Sequence, residues 1–377
     1  MQKIISLLTA CFMSACATAP SQTASVNRMA ESLHAQLKGD VVGYAFALGT
    51  EPMVTGSGGL ARAKADGGPK PFTPDTPMII ASVSKLVSAL ATMRLLPDYG
   101  LTLDTPIGPY LPRDWKVDPY LQNIKFAQLL NQTSGIKDFG NGPMSYERLK
   151  SFFTRPVDVA STTSCGGVGV VDPASPVTPN NLAFCYSNYN AALLTILLPK
   201  VSGLPDTTDF ERAYERLVQE TVFKPVGVTN AACAPKGVYA LSYIYPGDAP
   251  GKNWGPQYGR CATGGWYVSP AALGKVLASV AKRDGKILRE TKDHSGYADM
   301  RARGLGLDRN NAEMMEKNGI LGDDPGVLAV SALFFFPDSK VPLPAVLFTN
   351  STNKAGQIAQ PRPYLERART EAFSSAP

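Results

Sequence analysis

Thr76-Pro-Met-Ile-Ile-Ala-Ser-Val-Ser-Lys-Leu-Val-Ser-Ala-Leu90 sets a hydroxyl and an amine three residues apart, at Ser82 and Lys85, where an apolar repeat begins. Residues i and i+3 of a helix are surface neighbours, roughly 5–6 Å apart at Cβ. The Lys85 amine can therefore reach the Ser82 hydroxyl, giving a nucleophile with its own base and no need of histidine. Val83, Leu86, Val87, Leu90 and Met93 continue at the helical period, and Pro97 and Gly100 stop it. Ser82 thus stands at a helix start, where free backbone N–H groups and the positive dipole end favour a developing oxyanion.

The spacing recurs at Ser279-Val-Ala-Lys282 and Ser351-Thr-Asn-Lys354, and context separates the three. Lys282 precedes Arg283-Asp284-Gly285 and reads as an ordinary cation at a helix C-terminus. Ser351 follows an apolar strand, in a polar loop. Neither carries the signature of a reactive serine.

Around this centre the composition is that of a globular protein long enough for one large domain or two packed lobes. The formal net charge of +6 is spread without a basic stripe or aromatic-basic alternation, which argues against nucleic-acid binding. With only His34 and His294 and no Cys-x-x-Cys, no metal or other cofactor is implied. His294 paired with some other serine is the one route left to a histidine-based triad.

Met1 to Cys16 combines one cation, a short apolar stretch and small residues before a cysteine, and reads as an export signal too short to span a bilayer. Met13-Ser-Ala-Cys16 has the shape of a lipobox, with Cys16 as the lipid-bearing residue and the only expected membrane link; ordinary cleavage also fits. The expected location is periplasmic. Ala17 to Asn27, rich in Ala, Ser, Thr and Gln, reads as a tether, and 28–377 as a single catalytic domain. Beyond the signal lie Cys165, Cys185, Cys233 and Cys261, and pairing of sequence neighbours is expected, each pair bracketing an irregular segment.

Strand signals cluster at the ends: Val41 to Leu48 with Met53 to Leu60, and Val327 to Phe336 with Pro344 to Thr349, the latter turning at Pro337 to Lys340. Helical spacing marks Ser84 to Leu96, Tyr146 to Phe153, Asn190 to Leu198, Phe210 to Val222 and Ser269 to Lys282. The expected fold is α/β (α+β): a mixed, mainly antiparallel sheet flanked by helices, from about 28–80 and 255–377, with an all-helical lobe inserted at about 81–254. The site is expected in the cleft between them.

Two further elements follow Ser82 in order. Tyr186-Ser-Asn188 stands in a polar turn before a helix, where a tyrosine can aim its hydroxyl into a cleft beside an asparagine cap; Lys317-Asn-Gly319 precedes the last hairpin. Together with Phe72 to Lys85, Leu103-Asp-Thr-Pro-Ile-Gly-Pro-Tyr-Leu-Pro112, Ile124-Lys-Phe-Ala-Gln-Leu-Leu-Asn-Gln-Thr-Ser-Gly-Ile136 and Gly264-Gly-Trp-Tyr-Val-Ser-Pro-Ala-Ala-Leu273, they make the chain recognisable from about Gly43 to Asn350. It resembles the serine β-lactamase and penicillin-binding-protein superfamily, in its class C β-lactamase branch with D,D-peptidase and family VIII carboxylesterase relatives.

The resemblance implies a β-lactamase/transpeptidase-like fold and a roll of functional residues. Ser82 is then the acylated nucleophile, and Lys85 and Tyr186 share the general-base work. Asn188 binds a substrate amide or steadies Lys85, and Lys317, Asn318 and Gly319 bind substrate, Lys317 attracting its carboxylate. The backbone N–H groups of Ser82 and Ile320 form the oxyanion hole. The implied activity is hydrolysis of a β-lactam, an ester or a D-alanyl peptide, so the expected partner is a small-molecule or cell-wall peptide substrate. A non-hydrolytic binder or sensor of penicillin or cell-wall peptide is the alternative. Asn318 replaces the family's usual Thr, and Ile320-Leu-Gly-Asp-Asp-Pro325 replaces a small, Gly-rich continuation, departures that suit an esterase or peptidase at least as well as a β-lactamase. Gln132 stands where many relatives carry His, and is expected to be structural.

Overall fold

A computed structural model describes residues 22–117, 119–136, 138, 144–154, 184–206, 208–323, 326–336 and 342–374. Nine strands are present among them: β1 (Gly43–Leu48), β2 (Val54–Arg62), β3 (Lys70–Pro71), β4 (Met78–Ile79), β5 (Tyr267–Val268), β6 (Arg309–Asn310), β7 (Met314–Asp323), β8 (Gly326–Phe335) and β9 (Leu343–Thr349). Seven of them form one sheet in the order β3-β2-β1-β9-β8-β7-β6, every neighbouring pair antiparallel. The chain's two ends therefore meet at the β1–β9 seam, as the terminal strand signals predict.

The helices are α1 (Gln22–Leu37), α2 (Ser84–Leu95), α3 (Pro119–Asn123), α4 (Phe126–Leu130), α5 (Tyr146–Phe153), α6 (Asn188–Val201), α7 (Phe210–Val218), α8 (Pro270–Lys282), α9 (Gly296–Arg303) and α10 (Pro361–Ser374). Alternation along the strands explains their layering. Tyr44, Phe46 and Leu48 of β1 face α1 and α10, packing with Met29, Leu33, Leu365 and Ala368. Ala45 and Ala47 face the other way, into the main core with Leu273, Val276 and Leu277 of α8. With helices on both faces, β1, β8 and β9 are buried along their whole length, so they read as continuous apolar runs. Ser269 caps α8 by accepting from Ala272 N at 3.2 Å, and Pro270 follows at the first turn.

One expectation needs correction. The segment read as a tether already belongs to α1 from Gln22. Its short polar residues suggest a linker, but Val26, Met29, Ala30, Leu33 and Leu37 make a buried stripe. The Lys317-Asn-Gly319 motif lies within β7, whose charged Glu316 and Lys317 are buried because each meets an opposite charge, Glu316 at Arg362 and Lys317 at Asp308. Cys233 is bonded to Cys261, with Cα atoms 5.4 Å apart. Cys185 is in a disulfide as well, but the Cys165 expected beside it lies outside the described residues, as do residues 1–21 and the turn expected at Pro337 to Lys340. Among the described residues no helix is long and apolar enough to cross a membrane.

The two-stranded β4–β5 sheet positions the centre. Met78 pairs with Val268 and Ile79 with Tyr267, and Ile80 N donates to Trp266 O at 2.8 Å. This pins the chain entering Ser82 against the turn at Cys261–Gly265. Helix α2 then runs inward with nearly every residue buried, so it is a core helix and not the one-sided helix its apolar spacing suggests.

Candidate active site

Ser82 sits in a single 3-10 turn, Ala81–Val83, that runs directly into α2. Ala81 holds φ at +47°, a left-handed conformation that costs an L-residue free energy and persists where the surroundings enforce it. Here the enforcement comes from β4 before it and β7 beside it. A Cβ at Gly319 would fall 2.6 Å from Ile80 O and 2.8 Å from Ser82 N, so only glycine lets the β7 backbone lie this close to the nucleophile.

Ser82 Oγ lies 2.7 Å from Tyr186 OH and 3.2 Å from Lys85 Nζ. Lys85 Nζ also donates to Asn188 Oδ1 at 2.8 Å and to Thr263 O at 2.7 Å. Asn188 is held in turn by Asp138, whose Oδ2 accepts from the Asn188 side-chain nitrogen at 3.0 Å and from its backbone N at 3.4 Å. Both ends of the Asn188 amide are thus engaged, which favours the expected role of steadying Lys85 over binding a substrate amide. Burial drives the Lys85 amine well below its ordinary value, and the nearby charge of Lys317 pushes the same way, against Asp308 and Asp138. The Tyr186 phenol is pushed far up, first by burial. At neutral pH it is a proton carrier and not a phenolate.

Tyr186 is placed by a cap and a clamp. Ser187, not Asn188, caps α6, its Oγ accepting from Tyr189 N at 3.2 Å, while Asn188 is the first helical residue. Gln132 Oε1 accepts from Ser187 N at 2.9 Å and Asn190 Nδ2 at 2.6 Å, and Gln132 O accepts from Cys185 N at 2.7 Å. Gln132 is the structural residue its position implies.

On the far side, Lys317 is buried and ion-paired to the Asp308 carboxylate, with its ammonium 5.2 Å from the centre of the Tyr186 ring. This alters the expectation that Lys317 attracts a substrate carboxylate: its charge already has a partner, and an incoming anion would also meet Asp308. Asp308 is brought here by Gly306, whose missing side chain lets the segment before β6 lie on Ala89 and Leu86 of α2. Asp308 Oδ2 accepts from Asn318 N at 3.1 Å, so the exposed Asn318 side chain is not what fixes the strand.

The β7 backbone bears on the expected oxyanion role of Ile320. Asp308 N donates to Glu316 O at 2.8 Å and Asn318 N donates to Asp308, so even-numbered residues turn their backbone groups to the outer edge. By the same alternation Ile320 N–H points to that edge, and the adjoining Gly319 lies against Ser82 N. Ser82, Tyr186 and Ile320 together separate two hollows. One of about 230 Å³ is lined by Met144, Asn188, Arg260, Thr263 and Gly264. The other, of about 340 Å³, is lined by Phe184, Asp308, Lys317 and Asn318.

The competing centres fall away on geometry. His294 lies in a separate cavity with Met93, Leu101 and Arg303, its Nδ1 3.7 Å from Asp299. Ser279 Oγ donates to Asp284 at 2.6 Å while Lys282 reaches Glu51 at 3.1 Å, and buried Ser351 Oγ accepts from Val42 N at 2.9 Å. Asp138, Arg260, Thr263 and Asp308 are the site residues the motifs do not reveal. Only the Gly264-Gly265 landmark pointed near two of them.

Comparisons with known proteins bear on the family and the fold. The family model described as Beta-lactamase matches residues 26–368. A Bacillus subtilis (strain 168) protein, provisionally named penicillin-binding protein PbpX, is 27% identical over 164 residues, which is 42% of this chain and 33% of that relative's length. The octameric penicillin-binding protein homologue from Pyrococcus abyssi superposes with a TM-score of 0.64 at 20% identity, over 94% of this chain and 78% of that one. The class C beta-lactamase from Rhodobacter sphaeroides superposes with a TM-score of 0.60 at 16% identity, over 93% and 99%.

Proposed function

The chain belongs to the beta-lactamase family, and from that premise we propose that it is a serine hydrolase working through an acyl-Ser82 intermediate, with esters or amides as its substrates ahead of β-lactams. One observation carries the reading: Ser82 Oγ is in contact with both Tyr186 OH and a desolvated Lys85 amine. A neutral amine has two hydrogens, and Asn188 Oδ1 and Thr263 O are two acceptors for them. The lone pair is then left for the Ser82 proton.

In this mechanism Ser82 Oγ attacks the acyl carbonyl as its proton passes to Lys85 Nζ. The oxyanion is met by the N–H groups of Ser82 and Ile320. As the tetrahedral intermediate collapses, Tyr186 gives its proton to the leaving group and regains one from Lys85. Water then attacks the ester, losing a proton to the same relay, and the acid departs with Ser82 restored. Preference for esters or amides over β-lactams rests on the Lys317–Asp308 pair, which leaves that end of the cleft without net attraction for a carboxylate. The reading also includes export, from the Met1 to Cys16 signal, and a lipid anchor at Cys16.

Turnover of p-nitrophenyl butyrate and benzylpenicillin by the wild type and by Ser82→Ala tests this. Ester turnover that needs Ser82 and exceeds penicillin turnover is expected. Turnover that survives in Ser82→Ala overturns the nucleophile, and an acyl adduct that forms once and never leaves turns the reading to a binder or sensor.

A further inference from the structure

The two hollows beside Ser82 differ in available charge. Lys317, in one, is neutralised by Asp308. Arg260, in the other, ends the short helical turn Tyr258–Arg260 just before Cys261. Its neighbours there are Met144, Asn188, Thr263 and Gly264, none of them acidic. Among the described residues no carboxylate forms an ion pair or hydrogen bond with its guanidinium. Asp138 is engaged on Asn188, and the Glu211 carboxylate, which lies against the neighbouring Gly259, forms no ion pair with Arg260. The Arg260 charge nevertheless reaches the reaction centre, since it opposes protonation of Lys85. Partial burial strips it of water and lowers its own pKa.

We propose that Arg260 binds a carboxylate of the substrate, in the hollow walled by Met144 and Asn188, and so takes the task that Lys317 cannot perform. A planar guanidinium can hold a carboxylate through two parallel hydrogen bonds, stronger and more directional than a lysine contact. The Cys233–Cys261 disulfide anchors the adjoining residue, so the guanidinium is presented from a fixed base. The proposal rests on the acyl-Ser82 reading for the identity of the reacting bond, but the ligand it names is a carboxylate whatever the chemistry.

The test has two arms. In the first, kcat/KM is measured for mono-p-nitrophenyl glutarate against p-nitrophenyl butyrate, and for phenylacetylglycyl esters of 3-hydroxybenzoate against phenol, in wild type, Arg260→Lys and Arg260→Gln. The wild type should prefer the carboxylate member of at least one pair, and Arg260→Gln should cut that preference about tenfold or more, with Arg260→Lys between. Using a ratio within each pair removes any change in Lys85 basicity, which affects both members alike. In the second arm, calorimetry on Ser82→Ala compares glutaric acid monoanilide with butyranilide, with and without Arg260→Gln. Tighter binding of the acid that Arg260→Gln abolishes supports the proposal even if no ester turns over, an outcome that would count against the hydrolase reading alone. A preference that survives Arg260→Gln, or no preference for the acid in either arm, overturns it.

Discussion

The two ends of the cleft each hold a desolvated cation, yet among the described residues only one is ion-paired to a carboxylate. At the β7 end Asp308 supports the charge of Lys317 against burial; at the other end Arg260 is lowered by burial alone. The contrast teaches that a motif such as Lys317-Asn-Gly319 locates a side chain without fixing what its charge is free to do. That is decided by a residue outside the motif, here Asp308, placed by a glycine contact with α2. Lys85, between the ends, is pushed down by both cations, by Lys317 more than by Arg260.

Removing the group on which both ends act should give the largest effect. Lys85→Met is expected to lower kcat/KM for p-nitrophenyl butyrate at least about a thousandfold, as measured by steady-state kinetics. Tyr186→Phe keeps the ring but loses the relay, and a loss of about a hundredfold in kcat is expected from the same assay.

Shifts in pH profile sharpen the comparison. Lys85 must be neutral to act, so activity falls as pH drops through its lowered pKa. Lys317→Met removes a charge that lowers that pKa and should move the acid limb of kcat/KM to higher pH. The double variant Lys317→Met/Asp308→Asn should still move it up, because Lys317 acts on Lys85 more strongly than Asp308 does. Arg260→Gln should move it in the same direction by less. A downward shift in any of these would break the account of Lys85.

The smallest effect on turnover should come from the disulfide. Cys233→Ser/Cys261→Ser opens a loop with a sequence separation of 28 and should cost about 3 kcal/mol in denaturant unfolding. The Arg260 end adjoins Cys261, so carboxylate preference should fall more than butyrate turnover. Equal loss of both would show that the bond supports the whole site.

Local pattern made the reactive centre legible. Ser82 and Lys85 are one helical turn apart, Tyr186 and Asn188 flank a capped helix start, and the strands β1, β8 and β9 announce themselves by nearly unbroken apolar residues. The rest depends on partners far along the chain. α1 is half polar and shows its stripe only against α10 and the sheet. β7 buries Glu316 against Ser331 and Arg362, and Lys317 against Asp308, so its charged residues carry no strand signal of their own. Asp138 and Arg260 have no local signature, since what defines them is the presence or absence of an opposite charge across the cleft.

The central claim is the acyl-Ser82 intermediate. Rapid-quench intact-mass spectrometry with p-nitrophenyl butyrate, followed by peptide mapping, tests it most directly. The account predicts a single butyryl group that appears within the first turnover on the peptide containing Ser82, decays as butyrate is released, and is absent from Ser82→Ala. Butyryl carried on another peptide, or turnover undiminished in Ser82→Ala, would contradict it.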